Sequence, residues 1–243
     1  IEDRTRTYTI AMERTVVPEN FSFRMTDEEY RVLEKIKNSI PVCYLADHAD
    51  FALGIVTGNN KKFLSAEKTE NSEMVLKGTD ICKYHINPVK QYLRFEPEQF
   101  QQVAPLEIYR APEKLLYRFI SNQLVVAYDD RQMLSLNSCN IVIPKIDGMQ
   151  IKYILAILNS SVSQFVYQKE FHSIKVLRAH MEHIPIPRVG KAIQNEIIAM
   201  TEPLICGMGK EAAETCQKRL DCRIMDLFRL SAEEQWIIRH ALH

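Results

Sequence analysis

The hydrophobic residues of this chain change their spacing near residue 151, and this change separates two kinds of structure. From 151 to 166, apolar side chains recur every three or four residues, at Ile151, Ile154, Leu155, Leu158, Val162, Phe165 and Val166. That spacing places them on one face of an α-helix. From 42 to 143, apolar residues instead form short runs separated by Pro, Gly, Asn and Asp, which is typical of β-strands joined by loops. The sequence therefore predicts an α+β protein.

The predicted elements follow from these patterns. Strands are expected at 42–45, 51–56, 115–119, 124–128 and 140–143, with a further short strand at 21–24. Capping boxes at Thr26 and Ser231 each begin a helix, and the first helix carries Tyr30, Leu33 and Ile36 on one stripe. After Gly190 the pattern is helical throughout, at 191–201, at 210–229 and beyond Ser231.

Three regions follow along the chain. Residues 1–40 are a lead-in segment and helix, residues 41–190 are an irregular, loop-rich β domain, and residues 191–243 are a helical C-terminal scaffold. Long connections between the strands favour binding residues on loops. The apolar stripe from 151 to 166 is predicted to be core.

The charge is balanced overall but not locally. The chain has 31 Lys and Arg residues and 31 Asp and Glu residues, which argues mildly against nucleic acid as a partner. Residues 51–190 nevertheless carry a net charge of +4, with 17 basic and 13 acidic residues. Phosphate binding needs a basic face rather than a basic average, so the middle region is the candidate.

The cellular setting is inferred from what the sequence contains. The sequence begins with Ile1, so we expect it to continue upstream, and no leader or membrane-spanning apolar run is recognised. Six scattered cysteines without a C-x-x-C pair indicate reduced, mostly buried thiols in a cytoplasmic protein. His180 and His183 have no second ligand pair nearby, so they are interpreted as structural and no metal site is predicted.

Several catalytic motifs are missing. The sequence has no G-x-G-x-x-G, no G-x-x-x-x-G-K-[ST] and no G-x-S-x-G pattern. It also lacks the Asn/Asp-Pro-Pro-aromatic loop of adenine methyltransferases and the [DE]-x-K spacing of many metal-dependent nucleases. The paired carboxylates Asp129 and Asp130 are interpreted as a solvated turn. No catalytic residue and no cofactor are therefore predicted within this chain.

Four segments carry residue types suited to binding. In 54–64, Thr57 and the lysines Lys61 and Lys62 surround a Gly-Asn-Asn turn that could hold a phosphate, but the pattern alone favours a plain hairpin with solvated lysines. Segments 110–118, 135–138 and 167–178 supply further basic, amide, hydroxyl and aromatic side chains. Such residues are also common on ordinary surfaces and in cores.

Taken in order, short motifs of this chain resemble the TaqI-like C-terminal specificity domain of type IIG restriction enzymes and related adenine-specific DNA methyltransferases. The similar segments run from residue 40 onward, at 54–63, 75–81 with Tyr84, 112–117, 137–138, 154–160, 184–187 and 220–234. The resemblance implies that residues 41–190 recognise a specific sequence in double-stranded DNA. It also implies a bacterial restriction-modification or phage-defence protein.

The resemblance further implies a division of labour. An upstream methyltransferase domain of the same chain would bind S-adenosylmethionine and methylate adenine N6, and some relatives add an endonuclease domain. The present chain would then not be an enzyme by itself. It would read bases in the major groove while the target adenine is flipped into the catalytic pocket of that domain.

On this basis we predict a set of DNA contacts. The lysines are expected mainly to position phosphates, and the asparagines and the arginine to specify bases. The set is Thr57, Asn59, Asn60, Lys61, Lys62, Lys114, Arg118, Asn137, Ser138, Lys169 and Lys175. Two alternatives stay open: a protein-interaction or docking module, which the neutral charge favours, and an unrecognised enzyme, against which the missing motifs count.

Overall fold

The structure is a computed structural model that describes residues 25–171 and 173–242, so the strand predicted at 21–24 lies outside the described residues. The helices are α1 Asp27–Asn38, α2 Asn60–Phe63, α3 Leu106–Tyr109, α4 Ile151–Asn159, α5 Ser161–Glu170, α6 Arg178–Glu182, α7 Lys191–Ile205, α8 Lys210–Leu227 and α9 Ala232–Ala241. The strands are β1 Val42–Cys43, β2 Ala49–Ala52, β3 Leu64–Ser65, β4 Ser72–Leu76, β5 Tyr92–Arg94, β6 Lys114–Arg118, β7 Val126–Asp129, β8 Leu134–Ser135, β9 Cys139–Pro144 and β10 Ile186–Pro187.

The strands form three sheets. The first has the order β2-β9-β6-β7 and is antiparallel throughout, with Leu115 opposite both Val142 and Tyr128. The second has the order β3-β5-β4-β8, in which β4 and β8 run parallel. Strands β1 and β10 make a two-stranded antiparallel pair. The prediction of an α+β fold with a loop-rich β middle and a helical C-terminal third is confirmed.

The first sheet separates two hydrophobic cores. Because successive side chains of a strand point to opposite faces, Leu115 and Tyr117 of β6 enter the core shared with the helices, whereas Leu116 enters the core beneath the second sheet. The helical core also takes Ile36 from α1 and Ile224 from α8. The first sheet therefore lies between the helices on one face and the second sheet on the other.

Both predicted capping boxes are present. The Thr26 hydroxyl accepts from the backbone N–H of Glu29, and the Glu29 carboxylate accepts from the N–H of Thr26. Ser231 and Glu234 repeat the arrangement at the start of α9. These reciprocal bonds satisfy N–H groups that the first turn of a helix leaves unpaired, which explains why both starts were predictable.

The predicted stripe from 151 to 166 forms two helices rather than one. Ser160 lies between α4 and α5 in an extended conformation, and its hydroxyl accepts from the N–H of Ser163 as the N-cap of α5. The stripe is core as predicted, since Ile154, Leu158 and Phe165 are fully buried.

Two side-chain amides complete the outer edge of the first sheet. Asn159 bonds both the N–H and the carbonyl of Val126, at 3.1 and 2.8 Å. Gln164 bonds both the N–H and the carbonyl of Leu124, each at 2.9 Å. The amides therefore continue the pairing that the backbone of Tyr84 makes with Val126 and Tyr128, and together they satisfy backbone groups at a buried edge.

Candidate functional site

Loops from both sheets meet around Ser138. The N–H of Asn137 donates to the carbonyl of Ile55, and the Ser138 hydroxyl accepts from the N–H of Gly78. The Ser138 carbonyl accepts from Phe119, whose own carbonyl accepts from Val176. We call the connected segments 55–62, 78–81, 118–121, 137–138 and 174–176 the loop cluster. It brings together segments that are far apart in sequence and that carry most of the predicted contacts.

Two glycines allow this close approach. A Cβ at Gly54 would lie 2.1 Å from the carbonyl oxygen of Leu136, and a Cβ at Gly78 would lie 2.6 Å from that of Ser138. Both distances are far inside contact range, so any side chain would push the 136–138 loop away. These glycines, which lie in the first two similar segments, therefore allow the loop cluster to assemble.

The Gly-Asn-Asn turn is a capped helical turn rather than a plain hairpin. Gly58 has a φ of +72°, as the sequence predicts, and the Asn59 side chain accepts from the N–H of Lys62 to begin α2. Thr57 is predicted to offer its hydroxyl to DNA, but it is buried and donates to Asn60 Oδ1 at 2.6 Å. That burial contradicts a direct contact from Thr57, which instead holds the turn.

Basic side chains on this turn remain exposed. Among the described residues, Lys61 has no acidic partner, and the Lys62 ammonium donates to the amide oxygen of Gln99 and lies 4.8 Å from the Phe63 ring centroid. Gln101 packs beside Gly58. Sequence reasoning missed Gln99 and Gln101, because no local pattern places the segment 99–102 beside residue 56.

Arg118 and Ser138 are partly committed to the loop cluster itself. The Arg118 guanidinium donates to the carbonyls of Gly78, at 2.9 Å, and Ile81. Arg118 therefore holds the 78–81 turn in place and retains only part of its donor set for a ligand. Asn137, by contrast, is exposed, and its side chain has no hydrogen-bond partner within the described part of the chain.

Lys114 is predicted as a DNA contact, and its position contradicts that prediction. Its side chain is 0% exposed, and the ammonium donates to Asp129 at 2.5 Å and to the carbonyl of Tyr109 at 2.6 Å. Burial lowers the pKa of the Lys114 ammonium, and the Asp129 carboxylate opposes that effect. The interpretation of Asp129 as a solvated turn residue is wrong for the same reason, whereas Asp130 is exposed.

Asp129 also organises the loop that follows it. Its carboxylate accepts from the N–H groups of Arg131 and Met133, each at 2.9 Å. The charge is thus fully hydrogen-bonded, which is the condition under which a buried carboxylate is tolerated.

Lys169 is also directed away from the loop cluster. Its ammonium donates to Glu29 at 2.8 Å, and the two side chains are 14% and 11% exposed. The pair joins α5 to α1, so the structure does not bring Lys169 together with the predicted contacts of the loop cluster. The basic and aromatic alternation of 167–178 gave no signal that this lysine faces another helix.

Lys175 lies on the surface of the loop cluster. It pairs with Ile120 across an antiparallel bridge, and its ammonium lies 6.0 Å from the Phe119 ring centroid. In the same two segments, Ile120 is 52% exposed and Ile174 is 69% exposed. These exposed isoleucines were not predicted, since exposure of a single apolar residue leaves no mark in the sequence.

The remaining polar groups behave as structural elements. His180 stacks on Phe171 at 4.4 Å, and its Nδ1 accepts from the N–H of Leu177. Within the described residues, no group of three or more His, Cys, Asp or Glu side chains is arranged to hold a metal ion, and no helix combines the length and apolar character needed to cross a membrane.

The six cysteines are all free thiols. Two of them, Cys206 and Cys222, are exposed, so the expectation of mostly buried thiols holds only in part.

Comparison with solved structures relates the fold to restriction-modification proteins. MmeI, a type IIL restriction-modification enzyme solved in complex with DNA, superposes with a TM-score of 0.56 at 10% identity, over 82% of this chain and 35% of that chain. The HsdS subunit from Thermoanaerobacter tengcongensis superposes with a TM-score of 0.43 at 15% identity, over 89% of this chain and 50% of that chain. The type IIG restriction endonuclease BpuSI superposes with a TM-score of 0.47 at 12% identity, over 84% of this chain and 33% of that chain.

The present chain therefore spans only a third to a half of these proteins. No curated protein sequence matches it.

A family comparison covers four of the five segments of the loop cluster, all except 55–62. The matched segment, residues 73–186, begins in β4 and ends in β10. It contains Gly78, Arg118 and Ser138, and it includes the amides that complete the sheet edge. Residues 73–186 of this chain match the family model of TaqI-like C-terminal specificity domains.

Proposed function

We propose that this chain recognises a specific sequence in double-stranded DNA as the target-recognition part of a restriction-modification protein. The observation that carries the proposal is the match of 73–186 to a specificity-domain family, with the loop cluster lying largely inside the matched segment. The fold shared with MmeI, which was solved in complex with DNA, supports it.

The exposed residues of the loop cluster suit contacts with both the phosphates and the base edges of DNA. Lys61, Lys62 and Lys175 carry exposed ammonium groups that can contact phosphates without reading sequence. Asn137 presents an exposed amide without a partner among the described residues, and its paired donor and acceptor match the edge of adenine in the major groove. The exposed Asn59 and Asn60 use their side-chain oxygens within the turn and keep their amide N–H groups for a ligand. Thr57, Arg118 and Ser138 hold these residues in place. Lys114 and Lys169 have no part in the contact.

The parent protein is part of the same proposal. We infer an upstream adenine-N6 methyltransferase domain that binds S-adenosylmethionine, in a bacterial cytoplasmic protein of restriction-modification or phage defence. The α7–α9 helices would then be scaffold or docking surface for that domain. A protein-docking function without DNA is the alternative.

The test is selection of duplexes from a randomised pool by the 243-residue chain, followed by binding measurements against salt. We expect an enriched motif and a steep linear fall of log K with log salt, because each neutralised phosphate releases counterions. The charge-reversal variant Lys61→Glu/Lys175→Glu should lose most affinity for all duplexes.

The control changes charge elsewhere. Lys191→Glu alters an exposed lysine at the start of α7, outside the loop cluster, and should bind as the unmodified chain does. No binding to any duplex at low salt, by this chain or by a longer chain including the upstream residues, would refute the proposal and favour the docking alternative.

A further inference from the structure

A cavity whose wall carries three cations begins two residues beyond the 78–81 and 118–121 segments of the loop cluster. Its volume is about 580 Å³, and it opens between residues 83 and 123, the start of α5, and helices α8 and α9. The cations that line it are Lys83, Lys218 and Arg239. Sequence analysis did not identify any of the three, since they come from separate parts of the chain.

None of these cations forms an ion pair with a carboxylate of the described residues. Within residues 25–171 and 173–242, no acidic oxygen lies within 4.0 Å of their nitrogens. The Lys83 ammonium donates to the carbonyl of Asn159 at 3.2 Å. Arg239 donates through one terminal nitrogen to Gln235 at 3.1 Å and contacts two sulfurs, which leaves its other N–H groups free. Positive charge therefore accumulates here without an ion-pair partner among the described residues.

The one acidic side chain on the cavity wall has another task. Asp221 accepts from the N–H of Ser161 at 2.8 Å, the first residue of α5. A carboxylate there satisfies an unpaired N–H and interacts favourably with the positive end of the helix. Asp221 also opposes the lowering of the Lys83 pKa that burial causes, but it is too far away to form an ion pair. The cavity keeps a net positive lining.

Neutral hydrogen-bonding groups add to the lining. Gln123 and Gln168 reach the cavity, and the Gln168 amide has no hydrogen-bond partner among the residues that the structure describes. Two lysines, a planar guanidinium with free N–H groups and free amides form the donor set that binds a phosphate group.

We propose that this cavity binds a backbone phosphate of the DNA that the loop cluster reads, just outside the recognised sequence; this rests on the proposed function. Continuity with the loop cluster selects DNA over a free phosphate compound. Lys83 lies two residues after Ile81, whose carbonyl Arg118 holds, and Gln123 lies two residues after Ser121. Residues 81–83 and 121–123 therefore connect the loop cluster to this cavity.

The experiment compares the 243-residue chain with Lys218→Gln/Arg239→Gln, two exposed positions whose neutralisation spares the core. Inorganic phosphate is titrated into each protein in chloride buffer and followed by ¹H–¹⁵N NMR. We expect saturable shifts at residues 83, 123, 218 and 239, and at least fivefold weaker binding in the double variant. Lys210→Gln, on the same helix but outside the cavity, is the matched control and should bind phosphate normally.

A second arm identifies the source of the phosphate. The slope of log K against log salt for the selected duplex should decrease by about 0.9 for each phosphate that the double variant no longer neutralises. Phosphate binding with an unchanged duplex slope would overturn the assignment to DNA and indicate a free phosphate compound. Steep duplex binding with no phosphate shifts and no effect of the variant would overturn the site but leave DNA recognition intact. Phosphate binding by a chain that binds no duplex would instead refute the proposed function.

Discussion

The buried pair of Lys114 and Asp129 shows how little a residue's type reveals about its position. In sequence, Lys114 is a lysine before a strand and Asp129 the first of two acids at a turn. The register of β6 against β7 places them opposite each other on the face of the sheet that points to the second core. Only the long-range pairing turns two surface-type residues into an internal ion pair, so no local pattern could predict it.

Breaking this pair is expected to destabilise the fold without touching the DNA surface. Lys114→Met and Asp129→Asn should each lower the free energy of unfolding by about 3–5 kcal/mol, because each leaves the other charge buried and unpaired. The double variant Lys114→Met/Asp129→Asn should lose less than the sum, since neither charge remains. Urea denaturation measures all three. Strict additivity of the two losses would show that the residues do not interact.

His180 predicts a dependence of stability on pH. Burial, and then the nearby His183, hold the pKa of His180 below its ordinary value. The unfolded chain therefore binds a proton more readily as pH falls below about 6.5, the ordinary histidine pKa. The stabilising contribution is complete above that pH and is lost as pH falls toward the pKa of the folded state.

Urea denaturation at about pH 7.5 and about pH 5.5, on either side of the ordinary histidine pKa, checks this. The unmodified chain should lose more stability over this interval than His180→Asn, while His48→Asn, at an exposed position, should behave like the unmodified chain. Equal losses in all three proteins would assign the pH dependence to other groups.

At the scale of elements, helices were easier to predict than strands. The capping boxes at Thr26 and Ser231 and the stripe from 151 to 166 are local signals, and each corresponds to observed helix. The second sheet was missed almost entirely, because β3 and β8 are two residues long and exist only through their partners. Short strands carry too few side chains to show an alternation.

The amides at the edge of the first sheet give a prediction at this scale. Asn159→Leu and Gln164→Leu should each cost about 1–3 kcal/mol of unfolding free energy, because each leaves a buried backbone N–H of residue 126 or 124 without an acceptor. Gln168→Leu, one turn further along α5, removes an amide with no partner among the described residues and should be close to neutral. Chemical denaturation distinguishes them, and a neutral Asn159→Leu would show that the edge does not need the amide.

For the whole molecule, the order of motifs predicted more than the individual residues did. The family resemblance located the segments that meet in the loop cluster. It could do so because motifs that occur in the same order along the chain correspond to loops of the same order of strands. Contact residues depended on which side of each strand or helix faces outward. Lys61 and Asn137 face solvent, whereas Lys114 and Lys169 face inward to acidic partners. The register of a strand, or the face of a helix, decides whether a side chain points outward, and a sequence without the fold does not show it.

The division of roles within the loop cluster is the last prediction, and it concerns the molecule with its DNA. Lys61→Gln and Lys175→Gln should weaken binding to every duplex by a similar factor and lower the salt slope by about 0.9 each, because they neutralise phosphates. Asn137→Ala should leave the slope unchanged and relax the preference at one base pair by about 1–3 kcal/mol. Competition binding with single-base variants of the selected site, repeated at several salt concentrations, separates the two effects.

Lys169→Gln is the control for this experiment. It removes one positive charge, as Lys61→Gln does, but from an ammonium that is already paired with Glu29. It should therefore change the stability of the protein but neither the salt slope nor the base-pair preference. A loss of slope in Lys169→Gln as large as that in Lys61→Gln would mean that DNA approaches the α1–α5 side rather than the loop cluster. That result would move the interface to the surface around Lys169, because Lys169 and the loop cluster are held by different elements of the fold.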